Sequence, residues 1–334
     1  MQPLKMRPVL KEKVWGGCRL RDLLGKDAPD GRPTGESWEL ADHPHGTSVV
    51  ADGDLAGRSL RQVLARHGEQ VVGRELAAAG WARRFGLLVK FIDAEERLSV
   101  QVHPDDAYAA RDVPGESGKT ECWTVVAAEP DAWLVYGVNA GTTRAAFAAA
   151  VEDGDVESFL TRRKVKAGDF VWIPAGTLHA VGGGVLFAEV QQNSDLTYRV
   201  YDWNRVGLDG KPRALHVEQA LAVINFSGEV PPPGGRGKTA DETGLVIEHL
   251  VDCGAFSLSR LTLDRRPWAA DTGGAFVALV VLDGSAHLST GDGDLDLAAG
   301  DTVLVPADAG EYVFESPQGL KALIAAPPRK APTR

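Results

Sequence analysis

The stretch AGDFVWIPA, residues 167–175, recurs as AGDTVLVPA at residues 299–307. In each copy a Gly-Asp turn leads into a short apolar run that is typical of a β-strand and ends at a proline. One such device is weak evidence, but its duplication at the spacing of a whole domain predicts two copies of one β-fold. The length of 334 residues agrees with this prediction, because single domains usually span roughly 100–200 residues.

Most of the remaining chain also has the pattern of strands and turns. Short apolar runs such as LLVKFID, WTVVAAE and VLFAEVQ alternate with Gly, Asp and Pro, which is typical of antiparallel β-structure. Helical spacing is confined to residues 59–85 and 144–160. Residues 226–244 are rich in Pro and Gly and poor in apolar side chains, and we interpret them as a linker. The predicted domains are therefore residues 1–230 and residues 231–334.

The repeated unit resembles the cupin jelly roll, in which a turn of the form G-D-x-x-x-x-P precedes a metal-binding histidine on the next strand. In the first copy His179 stands five positions after Pro174. In the second copy Glu311 stands five positions after Pro306, and no Q-x-H pair lies upstream of it in that half. The expected fold is mostly β, with two cupin-type jelly-roll domains and a few short helices. The first domain is the candidate for a site, and the second is expected to lack a metal.

Four side chains of the first unit could bind a metal ion together. Gln101 and His103 are two positions apart on a predicted strand, so they point to the same face. With Glu121 and His179 they supply two imidazole nitrogens, one carboxylate and one amide oxygen, a set that suits zinc or another divalent ion. A single strand histidine is more often structural, but the joint occurrence of all four favours a metal site.

Composition and charge exclude several classes of protein. The hydrophobic content of 44%, the charged content of 25% and the net charge of −10 are those of an ordinary globular protein without a basic surface for nucleic acid or an anionic membrane. Three widely spaced cysteines, Cys18, Cys122 and Cys253, suit free thiols in a reducing cytosol. The chain has no apolar signal core and no run long enough to span a bilayer. We therefore expect a cytoplasmic protein.

Six motifs follow one another in the first 220 residues: KEKVWGG (11–17), GESWELADHPHG (35–46), LLVKFIDAEERLSVQVHPDD (87–106), GKTECW (118–123), VKAGDFVWIPAGTLHAVGGG (165–184) and EVQQNSDLTYRVYDWNR (189–205). In this order they resemble the short bacterial form of type I mannose-6-phosphate isomerase. The resemblance implies a cupin isomerase that interconverts mannose 6-phosphate and fructose 6-phosphate through a cis-enediol, with one Zn²⁺ per chain. It also implies a small phosphosugar as the binding partner; we expect a monomer or a weak homo-oligomer.

The same resemblance assigns roles to individual residues. The residues that match the family's metal ligands are Gln101, His103, Glu121 and His179. Arg199 in TYRVYDW matches the active-site arginine, and Glu189 in FAEVQQ matches the proposed general base.

The residues present can be compared with what this reaction requires. Moving a carbonyl between two sugar carbons needs a base, a stabiliser for the enediolate and an anchor for the phosphate. Glu189 stands among apolar neighbours in sequence, where a carboxylate is expected to have a raised proton affinity. Arg199 offers a permanently charged fork. Lys119 and Ser99 share strand faces with Glu121 and Gln101 and are candidate substrate contacts.

Three other functions are compatible with the same residues. A non-catalytic two-cupin module could bind a sugar or a metal through the same ligands. A metal-dependent cupin oxygenase or decarboxylase would use a similar His and Glu set with iron or manganese. A cupin isomerase for a related phosphosugar is the third alternative.

Overall fold

The computed structural model describes residues 1–241 and 244–329, most of which lie in antiparallel strands or in turns between them. The helices are α1 (Arg19–Leu24), α2 (Leu60–Val72), α3 (Arg74–Ala78), α4 (Asp106–Asp112), α5 (Arg144–Asp153) and α6 (Val217–Val223), and two 3-10 turns span Val156–Phe159 and Ala307–Ala309. The strands of the first 230 residues are β1 (Leu4–Arg7), β2 (Val9–Gly17), β3 (Thr34–Leu40), β4 (Asp42–His43), β5 (Gly46–Thr47), β6 (Val49–Val50), β7 (Leu87–Ala94), β8 (Val100–Val102), β9 (Glu121–Ala128), β10 (Trp133–Val138), β11 (Leu160–Lys164), β12 (Phe170–Ile173), β13 (His179–Val181), β14 (Val185–Gln192) and β15 (Tyr198–Tyr201). The later strands are β16 (Gly234–Ala240), β17 (Val246–Asp252), β18 (Ser257–Leu263), β19 (Trp268–Asp271), β20 (Val277–Thr290), β21 (Gly293–Ala298), β22 (Thr302–Val305), β23 (Glu311–Glu315) and β24 (Leu320–Ala326).

Two antiparallel sheets form the first unit. One has the order β12-β9-β14-β7-β2-β3 and the other the order β11-β10-β13-β8-β15. Side chains from both sheets meet in one apolar cluster, which includes Trp123 and Phe187 from the first sheet and Leu134 and Val181 from the second. Packing two sheets face to face in this way gives the sandwich expected of a jelly roll and places the ends of β8, β9 and β13 close together.

The second unit is built on an eleven-stranded sheet whose main path runs β16-β17-β18-β24-β20-β22-β1-β6. Its interior is filled with apolar side chains, including Leu261, Leu279, Val303 and Phe314, each at most 1% exposed. The two units therefore confirm the mostly β, cupin-type architecture predicted from the repeat.

Strands near both ends of the chain cross the boundary predicted at residue 230. β1 pairs with β22, with Leu4 opposite Leu304, and it also pairs with β6. β16 lies inside the stretch that we interpreted as a linker, where it forms an exposed edge strand against β17. The eleven-stranded sheet of the second unit thus includes two strands from the start of the chain, β1 and β6. The division into residues 1–230 and 231–334 stays a proposal.

Both segments predicted to be helical contain helices, whereas the short helices α1, α4 and α6 lie outside them and were not predicted. Residues 59–85 contain α2 and α3, and residues 144–160 contain α5 and the first 3-10 turn. A capping box starts α2: the Ser59 hydroxyl accepts a hydrogen bond from the Gln62 amide, and the Gln62 side chain accepts one from the Ser59 amide, so two donors that have no partner within the helix are satisfied. Within the described part of the chain, no helix combines the length and the apolar character needed to cross a membrane.

Candidate active site

A buried cluster of His103, Glu121 and His179 forms where the ends of three strands of the first unit meet. His103 directly follows β8, whereas Glu121 begins β9 and His179 begins β13. The Nε2 atom of His103 lies 3.5 Å from one carboxylate oxygen of Glu121, and that of His179 lies 3.4 Å from the other. Each side chain is at most 1% exposed. One ligand atom from each of the three residues lies within 4.8 Å of the other two.

Backbone carbonyls fix the orientation of both imidazole rings. The Nδ1 atom of His103 is 2.9 Å from the Leu196 carbonyl, and that of His179 is 2.9 Å from the Thr177 carbonyl. Since a carbonyl only accepts, each Nδ1 carries the proton and each Nε2 directs its lone pair towards Glu121. Burial lowers the pKa of His179 to about 4 and that of His103 well below its usual range. Both rings are therefore neutral at pH 7, the form that binds metals.

The Glu121 carboxylate has the surroundings of a metal ligand. Both of its oxygens are buried; the Lys119 ammonium lies 2.7 Å from Oε2, whereas Oε1 accepts no hydrogen bond from the described residues. Burial, reinforced by the charge of Glu189, nevertheless raises the pKa of Glu121 to about 7. A buried carboxylate oxygen without a donor is suited to bind a metal ion. Two neutral imidazoles and this carboxylate fit three of the four positions around a zinc ion.

Gln101 lies beside the cluster and connects it to Arg199. Its side-chain amide is 3.3 Å from the His179 Nε2 atom, and a half-turn of the amide would present its oxygen there instead. Arg199 lies opposite Gln101 in the pairing of β15 with β8. The Arg199 guanidinium donates to the Ser99 hydroxyl, which in turn donates to the Gln101 amide oxygen, both over 3.3 Å.

A cavity of about 260 Å³ opens beside the cluster. Its lining includes Ser99, Gln101, Lys119, Glu189 and Arg199, all of which the sequence predicted as site residues. The lining residues that the sequence analysis missed are Lys13, Glu36, Lys90, Ile92, Leu98, Trp123, Asp195, Thr197, Arg213 and His216. The structure thus brings every predicted site residue to the cavity or to the buried cluster beside it.

Charges of opposite sign alternate along one wall of this cavity. Lys13 pairs with Glu36 at 2.9 Å, and Lys90 lies 3.3 Å from Glu189. Lys119 lies 3.9 Å from the same oxygen of Glu189. Burial alone would raise the pKa of Glu36, but Lys13 and Lys90 outweigh burial and lower it to about 2. Every carboxylate of this wall therefore has a cationic neighbour.

The surroundings of Glu189 differ from those expected. The sequence predicted a carboxylate among apolar neighbours with a raised proton affinity, and that prediction was wrong. Burial favours the protonated form, but Lys119 and Lys90 outweigh it and lower the pKa below the usual range. The Trp123 indole donates a hydrogen bond of 3.0 Å to Oε2, whereas the buried Oε1 atom faces the ammonium groups of Lys90 at 3.3 Å and Lys119 at 3.9 Å. Glu189 is thus an ionised carboxylate with Oε2 held by Trp123 and Oε1 stabilised by two lysines.

The part of the cavity lined by Arg199 and Arg213 has an excess of positive charge. Arg199 donates hydrogen bonds to Ser99 and to the Ala214 carbonyl, and it forms no ion pair with any described carboxylate. The Arg213 guanidinium donates two hydrogen bonds of 2.6 and 2.5 Å to the Asp202 carboxylate, and Arg205 donates one to the same carboxylate. Arg205 and Arg213 therefore share one carboxylate, and Arg199 has none among the described residues, which makes this end suitable for an anion.

One signal could have revealed a missed residue. Lys90 is the single charged residue in the first five positions of LLVKFIDA, a strand whose eight residues are all buried. A lysine is rarely fully buried unless it is paired, so its position predicts a charged partner inside the unit. Asp195, by contrast, lies in a turn where an aspartate is ordinary.

Two family models match the chain. The model described as phosphomannose isomerase type I, catalytic domain, matches residues 3–129, and the model described as mannose-6-phosphate isomerase, cupin domain, matches residues 246–321. A mannose-6-phosphate isomerase of Bacillus subtilis is 39% identical over 316 residues, which cover 94% of this chain and 96% of the relative. The mannose-6-phosphate isomerase of Streptococcus mutans is 36% identical over 321 residues, covering 94% and 95% of the two chains.

Solved structures show the same fold. A crystal structure of the mannose 6-phosphate isomerase from Bacillus subtilis superposes with a TM-score of 0.88 at 34% identity, covering 98% of this chain and 99% of the other. A putative mannosephosphate isomerase from Archaeoglobus fulgidus, 24% identical, shares the fold with a TM-score of 0.75 over 98% of each chain. The extent of these matches shows that the chain belongs to the type I mannose-6-phosphate isomerase family.

Proposed function

We propose that this chain interconverts mannose 6-phosphate and fructose 6-phosphate in the cavity beside His103, Glu121 and His179. The observation that carries the proposal is the pairing of two features in one cavity: a buried donor set suited to a divalent ion and a cationic end suited to a phosphate. Family membership agrees, because the relatives that match over most of their length are mannose-6-phosphate isomerases. The chain is an aldose-ketose isomerase.

Zinc is the proposed metal, with one ion per chain. Type I phosphomannose isomerases are metal-dependent, and the donor set of two imidazoles and a carboxylate is typical of zinc. His103, Glu121 and His179 would hold the ion, and the amide oxygen of Gln101 would complete its shell. When bound, a divalent ion polarises the sugar carbonyl and stabilises the negative charge that develops on its oxygen.

Glu189 is the proposed base for the proton that moves between C1 and C2. Isomerisation removes a proton from the carbon next to the carbonyl, passes through a cis-enediol and returns a proton to the neighbouring carbon. Glu189 is ionised and can accept the proton on Oε1, which faces Lys90 and Lys119, while Trp123 holds Oε2 in place. Lys119, which lies 3.9 Å from Oε1, places a positive charge next to the reacting carbons.

Arg199 is the proposed anchor for the phosphate of the substrate. Lys13, Lys90 and Lys119 are each paired with a carboxylate, whereas Arg199 forms no ion pair among the described residues. An unneutralised guanidinium binds a phosphate through charge-assisted hydrogen bonds. Arg213, held in place by Asp202, lines the same end of the cavity and adds to its positive charge. Ser99 would orient Arg199.

A coupled assay on zinc-loaded protein tests the proposal. We expect fructose 6-phosphate to form from mannose 6-phosphate with a kcat/KM far above that for free mannose, because binding of the remote phosphate helps to orient the sugar. Equal efficiency on the unphosphorylated sugar would contradict the anchor, and a complete lack of isomerisation would favour a binding module. Consumption of oxygen by the iron-loaded protein would favour an oxygenase. The cytoplasmic location and the monomeric or weakly oligomeric state stay predictions.

A further inference from the structure

We propose that Asn193 is a positioning residue that sets the metal affinity of the cluster by holding the turn at residues 193–197. The inference rests on the metal site of the proposed function. This turn follows β14 and brings the Leu196 carbonyl against the Nδ1 atom of His103 at 2.9 Å. Asn193 itself lies outside the lining of the cavity and contacts neither the cluster nor the proposed substrate site.

The Asn193 side-chain nitrogen uses both of its hydrogens, whereas its buried Oδ1 atom accepts no hydrogen bond from the described residues. The side chain is 2% exposed, and its Nδ2 atom donates to two backbone carbonyls, those of Asp42 at 2.9 Å and of Phe85 at 2.7 Å. Its backbone amide donates to the Gly86 carbonyl at 3.0 Å. A primary amide is the uncharged side-chain group that offers two hydrogens from one nitrogen. The start of the turn is thereby fixed to the segment that leads into β7.

Two further side chains hold the same residue from the other side. The Asn193 carbonyl accepts hydrogen bonds from Arg84 at 2.9 Å and from the Ser117 hydroxyl at 3.1 Å. Ser117 stands four positions before Glu121, on the segment that supplies that ligand. One residue therefore couples the carbonyl that orients His103 to the segment that carries Glu121.

The rest of the turn has local contacts or contacts that are exposed or only partly buried. The Gln191 side chain donates to the Ser194 carbonyl at 2.6 Å, and the Ser194 hydroxyl accepts from the Leu196 amide at 3.3 Å. The Asp195 carboxylate lies 2.8 Å from the exposed His45 ring, and the partly buried Ser194 hydroxyl donates to Glu116 over 3.5 Å.

Without the bonds of Asn193, the turn would lose its buried attachment to the core. The Leu196 carbonyl would then move away from His103, and the ring would lose the bond that fixes its tautomer. Loss of such an outer partner typically weakens metal binding about 10–100-fold.

Replacing Asn193 with aspartate tests the inference. Asn193→Asp keeps the size of the side chain but removes both donors. We expect the zinc dissociation constant of the full chain, measured by competition with a chelator, to rise about 10–100-fold. Long-range ¹H–¹⁵N spectra of the metal-free protein should show that His103 no longer has a single protonated Nδ1. The matched control is Asn139→Asp, whose amide holds the Ser158 carbonyl at 2.8 Å away from the cluster and should leave both readouts unchanged.

A milder variant keeps the test decisive if Asn193→Asp does not fold. Ser117→Ala removes one hydrogen bond to the Asn193 carbonyl and should weaken zinc binding by a smaller factor in a folded protein. An unchanged zinc affinity in a folded variant, with only a lower melting temperature, would overturn the positioning role. Zinc retained in full by His179→Ala would instead overturn the metal site on which the inference rests.

Discussion

The two copies of the Gly-Asp-strand-Pro motif both lead into a further β-strand, but the side chains that follow are polar and buried in the first copy and apolar in the core of the second. In the first copy the strand after the proline begins with His179, which is 0% exposed and faces Glu121. In the second copy the corresponding strand begins with Glu311, which is exposed. The residues that follow it, Tyr312 and Phe314, pack into an apolar core.

This difference shows how one fold serves two purposes. In the first copy, buried charges such as Lys90 and Glu189 are retained because each has an oppositely charged neighbour. These polar groups line a cavity large enough for a ligand. In the second copy, close packing of apolar side chains supports the fold. The repeated turn determines where the strands lie, and the side chains between them determine whether a site exists.

Removing a metal ligand should produce the largest effect. Purified protein should contain about one zinc ion per chain, and His179→Ala should contain almost none, with activity lower by a factor on the order of 10³ or more. His103→Ala should behave alike. Elemental analysis measures the ion. The contrasting variant is Glu311→His, which gives the second copy its missing histidine but should bind no additional ion, because no Q-x-H pair accompanies it in that half of the chain.

Removing the proposed base should reduce the rate without removing the metal. In Glu189→Gln the amide cannot accept a proton, so kcat should fall by about 10²–10⁴-fold while the zinc content stays unchanged. Incorporation of solvent deuterium at C2 of recovered mannose 6-phosphate should disappear. A variant that isomerises at nearly the wild-type rate would assign proton transfer to another group, with Lys119 as the next candidate.

Removing the proposed anchor should have a smaller effect that depends on the substrate. Arg199→Ala loses charge-assisted hydrogen bonds, so kcat/KM for mannose 6-phosphate should fall about 10–100-fold. Turnover of free mannose should change little. Arg163→Ala is the control, because that arginine is exposed and lies outside the cavity. An equal loss on both sugars would show that Arg199 acts at the reacting carbons and not on the phosphate.

A change in the second copy should leave catalysis intact. Phe314→Ala removes a fully buried ring, which should lower the free energy of unfolding by about 3–5 kcal/mol. At temperatures where the variant remains folded, kcat/KM and the zinc content should match those of the wild type. Denaturant unfolding and steady-state kinetics on the same sample measure both quantities. A large loss of activity in the folded variant would show that the second copy takes part in the reaction.

Features of the fold that depend on residues close together in the sequence were predicted, whereas pairings between distant strands were not. The two jelly rolls follow from turn residues and short apolar runs, and both are observed. The pairing of β1 with β22 was missed because its partners lie about 300 residues apart and no turn signal joins them. The Gly-rich stretch taken as a linker forms β16 because β17 offers an edge to pair with.

In the site, the proposed metal ligands were predicted from the sequence, but the surroundings of Glu189 were not, because they depend on strand pairing. His103, Glu121 and His179 were found from their spacing and from the family resemblance. The prediction for Glu189 failed because its neighbours along β14 are apolar, whereas Lys90 stands directly opposite it on β7. Cross-strand neighbours determine the pKa of a buried group, and a single sequence does not contain the register that brings them together.

The position of β1 has a consequence for synthesis of the protein. During synthesis, β1 emerges from the ribosome long before its partner β22 (Thr302–Val305) is made. The sheet of the second unit therefore closes only after nearly the whole chain has emerged, and such long-range pairing is slow. Until then, β1 has no β22 to pair with, and its unpaired edge can recruit other chains. A fragment that begins at residue 231 would lack β1, so its β22 edge would stay unpaired and the fragment should aggregate, even though its own apolar core is intact.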